Sequence, residues 1–300
     1  MPRLIISLTT EEIHMRDLRT IRIFLAVLFL AAAVVYLFVG SGVTPLAAVA
    51  KRVQIVPSML VMTMGATGFW LVATFVCGRI YCSSVCPVGA LQDSATWLRR
   101  KLSAIPVFAR LRWPKGGRHI FGAYRYRHVG KMRWLFLLAY TVCLLLGIYW
   151  LATVVEPWNM MRSAARATNP YINPSLLIFA SDAALGGAFG CLSLFIVWLI
   201  ALLGGRRFCT DVCPIGTALG IVARYSIYQI EIDPDRCTNC MRCEEVCKTE
   251  GIKVAGRFVD NERCVRCFNC LKVCADDAIN LQRNRNQRVN PLMMRKGVKN

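Results

Sequence analysis

The residues most able to do chemistry are the cysteines, of which the 300-residue chain has 15. Eight fall in two runs, Cys237-x2-Cys240-x2-Cys243-x3-Cys247 and Cys264-x2-Cys267-x2-Cys270-x3-Cys274, repeated at an offset of 27 residues. This is the spacing of two-cluster bacterial ferredoxins. Three thiolates set two residues apart wrap one face of an iron–sulfur cube, and the fourth reaches over to the neighbouring cube. The spacing therefore assigns Cys237, Cys240, Cys243 and Cys274 to one [4Fe–4S] cluster. Cys264, Cys267, Cys270 and Cys247 fall to the other. Zinc would call for C-x2-C pairs rather than triple runs. One departure stands out: Lys248 and Ala275 replace the proline that usually follows each fourth cysteine.

Four more cysteines lie in half motifs. GRIYCSSVCPVGAL (78–91) aligns without gaps with GRRFCTDVCPIGTA (205–218), at an offset of 127 residues. A residue before proline avoids the helical region, and proline favours a first helical turn. Cys86 and Cys213 should thus end loops, and Pro87 and Pro214 should open helices over 87–103 and 214–226. Brought together, Cys82, Cys86, Cys209 and Cys213 offer four thiolates for a further iron–sulfur or metal centre. A redox-active dithiol pair and purely structural cysteines are the alternatives. Cys77, Cys143 and Cys191 read as packing residues.

The elements that must position these thiols are apolar. The chain is 56% hydrophobic and 18% charged, more apolar and less charged than soluble domains. Stretches of spanning length run from Ile23 to Gly40, from about Pro57 to Cys77, from Trp134 to Val155, and from about Ala183 to Leu203. Small residues, GATG in the second and GGAFG in the fourth, should let helices approach closely. Arg79 to Arg133 carries 12 Lys and Arg against the single acid Asp93, whereas 41–56 and 156–182 carry two each. By the positive-inside rule this sets the central loop and both termini on the cytoplasmic side of a prokaryotic inner membrane. The excess of 37 Lys and Arg over 17 Asp and Glu is then a matter of topology rather than of nucleic-acid binding.

The expected fold is a membrane all-α four-helix bundle, built as two parallel-related hairpins, with a C-terminal α+β two-cluster ferredoxin domain. Its parts are a cytoplasmic segment (1–22), the membrane domain (23–229), the ferredoxin domain (230–282) and a basic, disordered tail (283–300). The β-prone pieces YQIEI, IKVA, RFVD and AINL bracket the cysteine loops. The basic central loop reads as a lipid-facing surface, with partner docking as the alternative.

The three histidines, His14, His119 and His128, fall outside the apolar spans, and no C-x-x-C-H occurs, so haem carriers are not expected. Nor does a P-loop or a dinucleotide fingerprint support nucleotide-driven work. Electrons would move through iron–sulfur centres alone. Quinone-site candidates are Glu156, Trp158, Arg162 and Tyr171, expected in a loop on the face opposite the cysteines, where a carboxylate could take up a proton from quinol. Arg236, Arg242, Arg263 and Arg266 should raise the cluster potentials.

Together these features resemble the NapH/MauN-type membrane polyferredoxins, and are also similar to the C-terminal half of NosR-type regulators. The resemblance rests on four spans, CSSVCP and CTDVCP after the second and fourth, and the CTNCMRCEEVC and CVRCFNCLKVC pair. It implies a quinol-oxidising electron-transfer subunit in the membrane, drawing on the quinone pool. It would serve a protein redox partner, such as a ferredoxin-like or cytochrome subunit of a respiratory reductase or periplasmic enzyme system. The alternative is a redox-dependent assembly or regulatory factor for a metalloenzyme.

Overall fold

A computed structural model describes residues 2–39, 64–109, 121–128, 130–148, 155–168 and 180–283. The first helix, α1, runs unbroken through Pro2–Val39, so no backbone break separates the polar leading segment from the apolar stretch that follows. Then come α2 (Met64–Cys77), α3 (Pro87–Ser103), α4 (Met132–Leu145), α5 (Pro157–Thr168), α6 (Ala180–Gly204) and α7 (Pro214–Ala223). Asp17–Leu37 and Gly187–Gly204 are long and apolar enough to cross a membrane; α2 and α4 are shorter apolar helices. Phe24, Val72, Leu138, Leu145, Phe189 and Phe195 point outward from these helices. Such surfaces are stable against lipid or another apolar surface, not water.

Two expectations about the helices need correcting. Within the third apolar stretch α4 ends at Leu145, and Gly147 takes a left-handed turn (φ 74°). The segment expected as a loop over 156–182 holds α5, which packs along α6. Gly190 marks their closest approach: a Cβ there would come within 2.5 Å of Ala164 N. The GGAFG stretch thus admits a neighbour as expected. In the GATG stretch, Gly65 and Gly68 face open space among the described residues.

The C-terminal unit is small and mixed. β1 (Tyr228–Ile232) pairs antiparallel with β4 (Ile279–Arg283), and β2 (Ile252–Lys253) pairs antiparallel with β3 (Phe258–Val259). Ile230, Ile252, Val254, Val259, Phe268 and Ile279 form its core, with cysteines packed around them. The tail beyond residue 283 lies outside the described residues.

This unit sits on the cysteine-bearing ends of α2 and α6. Ile227 N–H donates to Phe75 O (2.8 Å), Arg266 Nε to Cys77 O (3.0 Å), and Arg206 N–H to Lys248 O (2.8 Å). α1 reaches it as well, with Arg19 Nε donating to Asn269 Oδ1 (3.1 Å). Residues 121–128 of the central loop, expected to face lipid, pack against it instead. Tyr124 N–H donates to Glu245 O, Tyr126 N–H to the Glu244 carboxylate, and Arg127 pairs with Glu250 and Asp211. The reason is charge complementarity: Arg127 of the basic loop meets Glu250 of that unit, more than a hundred residues away in sequence, and Asp211 of the second half motif.

Candidate functional site

Among the described residues, three hollows are each lined by four cysteines. Cys237, Cys240, Cys243 and Cys274 line an outer one, beside Met241 and Asp276. Cys247, Cys264, Cys267 and Cys270 line an inner one, against Ile230 and Val265. Cys82, Cys86, Cys209 and Cys213 line the third, with Tyr81, Glu156, Trp158 and Gly216. Their atom-free spaces are alike, about 320, 390 and 380 Å³. No three His, Cys, Asp or Glu side chains among the described residues close on a single point as one ion would require. The thiols stand around a space.

Local backbone geometry explains the placement in the outer and inner hollows. Asn239, Met241 and Glu250 take left-handed conformations (φ 57°, 62° and 53°). Arg266, Phe268 and Asp277 do the same 27 positions later (φ 53°, 57° and 46°). Such conformations cost a non-glycine residue roughly 1–2 kcal/mol each, so their repetition reflects a demand of the loop. They curl each C-x2-C-x2-C run about its hollow. Behind the fourth cysteines, Gly251 N–H points at Cys247 Sγ (3.4 Å) and Ala278 N–H at Cys274 Sγ (3.3 Å). N–H groups aimed at sulfur favour the thiolate form that iron needs.

The third hollow is built by two copies of one design. α2 ends at Gly78 (φ 77°) and α6 at Gly205 (φ 73°), the left-handed glycine that commonly closes a helix. Cys86 (φ −67°, ψ 119°) and Cys213 (φ −65°, ψ 118°) are extended, and Pro87 and Pro214 open α3 and α7. Gly89 and Gly216 follow. A Cβ at either would lie 2.2 Å from the carbonyl oxygen of Cys82 or Cys209, so only glycine lets each helix start beneath its own cysteine loop.

The copies also exchange arginines. Arg206 of the second donates to Cys82 O (2.7 Å) and Gly89 O (2.8 Å) of the first. Arg79 of the first donates to Cys209 O of the second (2.8 Å) and lies 3.9 Å from Cys82 Sγ. Gln92 Nε2 adds a donor to Cys209 Sγ (3.2 Å). Both arginines are fully buried. Arg206 has a carboxylate partner in Asp93 (2.9 Å), but Arg79 has none among the described residues, and its Nε lacks an acceptor. A buried cation without a counter-charge is costly. An anion held in the hollow would balance Arg79, and four thiolates around iron and sulfide carry net negative charge. Neutral thiols or disulfides do not. The donor set, the N–H groups aimed at sulfur and this unbalanced cation fit a thiolate-held cube.

Asp93 ties the units together. Its carboxylate receives Arg22 from α1, Arg206 from the second copy and Lys248 (2.8 Å) from beside the inner hollow. Burial alone would raise its pKa, but Arg206, Lys248 and Arg22 outweigh that and hold the carboxyl well below the usual range. Lys248 occupies one of the positions where ferredoxins usually carry proline; here that residue is a docking contact.

Comparison with known proteins adds the family. A family model described as a 4Fe-4S binding domain matches residues 58–105 and 187–228, one stretch for each half motif. A second, described in the same words, matches 229–252. The methylamine utilization ferredoxin-type protein MauN of Paracoccus denitrificans is 30% identical over 189 residues, 61% of this chain and 53% of its own. The ferredoxin-type protein NapH of Haemophilus influenzae is 27% identical over 170 residues, 56% of this chain and 47% of its own. NapH of Escherichia coli is 26% identical over 176 residues, with the same coverage. By these matches the chain is similar to the ferredoxin-type proteins MauN and NapH and carries 4Fe-4S binding-domain sequence. It spans about half the length of the curated relatives it matches. No solved structure matches it.

The quinone-site candidates separate in the structure. Glu156 and Trp158 lie at the third hollow, not on the face opposite the cysteines. Glu156 is buried and caps α5, accepting from Trp158 N–H (3.0 Å) and Asn159 N–H (2.7 Å). Arg162 is exposed further along α5, and Tyr171 lies outside the described residues. Sequence reasoning assigned no role to Arg79, Arg206, Gln92 and Asp93. The recurrence of Gly-Arg at the same offset as the cysteines was the available signal for the arginines, and the lysine in the proline position was the signal for Lys248.

Proposed function

We propose that the chain is a membrane-bound electron-transfer subunit that oxidises quinol and relays single electrons through three [4Fe–4S] sites. Cys82, Cys86, Cys209 and Cys213 would hold the one at the third hollow, Cys247, Cys264, Cys267 and Cys270 the inner one, and Cys237, Cys240, Cys243 and Cys274 the outer one. When bound, each cluster supplies a one-electron carrier. The observation that carries the reading is the third hollow: four thiols beside a buried Arg79 that lacks a carboxylate. The order of the relay is supported by packing. Cys267 of the inner hollow packs on the same apolar cluster as Cys82, Cys86 and Cys213. Cysteines of the inner and outer hollows share the core of the C-terminal unit. Cys240 of the outer hollow is exposed, where a soluble redox partner would exchange electrons.

Quinol has two electrons and two protons to release. It would approach from lipid beside Trp158, whose ring packs on Tyr36 (6.0 Å), and Glu156 would be the first proton acceptor. The four apolar helices would form a multi-pass bundle with the ferredoxin unit on the cytoplasmic side. Anaerobic purification with iron and sulfide counts tests the sites. About twelve of each supports three cubes, and about eight removes the third. Added quinol should then reduce the clusters of the purified protein. Clusters that dithionite reduces and quinol does not would overturn the quinol step and favour the assembly or regulatory role. Glu156→Gln should slow reduction by quinol while leaving the dithionite-reduced spectrum unchanged.

A further inference from the structure

Resting on the three-site reading above, we propose that Arg79 and Arg266 form a cationic junction between the third and inner sites. The junction holds the reduction potentials of both above that of the outer site. The four arginines expected from sequence to raise potentials do not act alike. Arg236 is exposed and pairs loosely with Asp233 (3.7 Å), and Arg242 is exposed too, so solvent and salt screen both. Arg263 is buried, but its guanidinium donates to the carbonyls of Arg127, Thr249 and Glu250 and to no cysteine sulfur among the described residues. Arg266 differs. It is fully buried, its Nη1 donates to Asn261 Oδ1 (2.7 Å) and lies 3.9 Å from Cys264 Sγ, and its other donors also go to neutral groups: Cys77 O, Ser226 Oγ and Tyr228 O.

Arg79 is the matching cation on the other side. It contacts Cys82 Sγ of the third hollow and donates to Glu262 O (3.2 Å), two residues before Cys264. Arg266 in turn lies over Gly78, where a Cβ would meet its Nε at 2.4 Å. Two buried guanidinium ions, neither paired with a carboxylate among the described residues, thus sit where the two units meet. Each borders one set of thiols. An added electron makes a thiolate-held site more negative, and an unscreened cation in a low-dielectric setting favours that state. The outer hollow has the opposite surroundings: Cys240 and Met241 are exposed, and Asp276 lines it. Electrons would rest on the buried pair, with the outer site as the exchange port.

The test is a redox titration followed by low-temperature EPR, with the outer signal identified by its loss in Cys240→Ala. In the unaltered protein the outer signal should be the last to appear as the potential falls. If it appears first, the proposal is overturned without any arginine variant. Arg79→Gln and Arg266→Gln should shift the reduction equilibrium of the buried pair at least tenfold toward oxidised, about 59 mV for one electron. The outer signal should stay in place, and the lysine variants should recover part of the shift. Glutamine variants with full iron content and unmoved buried potentials would refute the inference. About eight irons in the unaltered protein would refute instead the reading beneath it.

Discussion

Replacing Asp93 by asparagine removes the one negative charge that Arg22, Arg206 and Lys248 share, and leaves all three cations in place. Arg206 is fully buried, Arg22 and Lys248 are nearly so, and Asp93 is partly buried. Two unit charges 4 Å apart at an effective dielectric of 20 interact by about 4 kcal/mol. Breaking a buried pair by removing one partner costs about 3–5 kcal/mol, in the same range. Asparagine keeps a carbonyl acceptor and avoids the desolvation of a carboxylate, so the lower half of that range applies. The contact at risk is the docking of the ferredoxin unit on α3 and α6, reported by the Arg206 N–H to Lys248 O bond. A loss of about 3 kcal/mol raises the open population more than a hundredfold, since 1.4 kcal/mol is a factor of ten. Native-state hydrogen exchange at the Arg206 amide should accelerate accordingly. Adding Lys248→Met should restore part of the loss, as expected for residues in one ion-pair network. Acceleration of less than about fivefold, or strict additivity in the double variant, would refute the view that Asp93 clamps the two units.

Gly89→Ala and Gly216→Ala each force a Cβ to 2.2 Å from a cysteine carbonyl. Each should lower iron and sulfide by about four while sparing the ferredoxin sites, as counted after anaerobic purification. Gly205→Ala demands φ 73° of an alanine and sets its Cβ 2.4 Å from Lys248 O. It should loosen docking, seen as faster proteolysis of the C-terminal unit at unchanged iron content. Cys247→Ser should change the same EPR signal as Cys264→Ser, and Cys274→Ser the same as Cys237→Ser; the reverse pairing would contradict the crossed assignment.

The cysteine spacing was legible because iron chemistry imposes it directly on the chain. The four β-prone pieces were legible because YQIEI and its partners are rich in β-branched and aromatic residues and bracket the cysteine loops. What sequence order hides is partnership across the fold. Arg79 and Arg206 recur in register, yet their roles depend on each crossing to the other copy, which no single segment reveals. Glu156 was set on the far face because hydropathy runs unbroken to Val155. The chain in fact turns at Gly147 and later runs back along α6. The central loop read as a lipid surface because its acidic complements, Glu244 and Glu250, lie over a hundred residues downstream.

The crossed arginines have a consequence for how such a bundle can arise. A lone hairpin carrying one loop would bury a guanidinium with nothing to bind and leave its own cysteine carbonyls bare. Two identical hairpins meeting head to head would satisfy one another, so the arrangement is self-sufficient only as a pair. Fusing the halves into one polypeptide frees them to diverge. Asp93 beside one arginine, with Gly220 at the equivalent position near the other, marks where the halves differ: one side anchors the ferredoxin unit, while the other leaves its arginine without a carboxylate among the described residues.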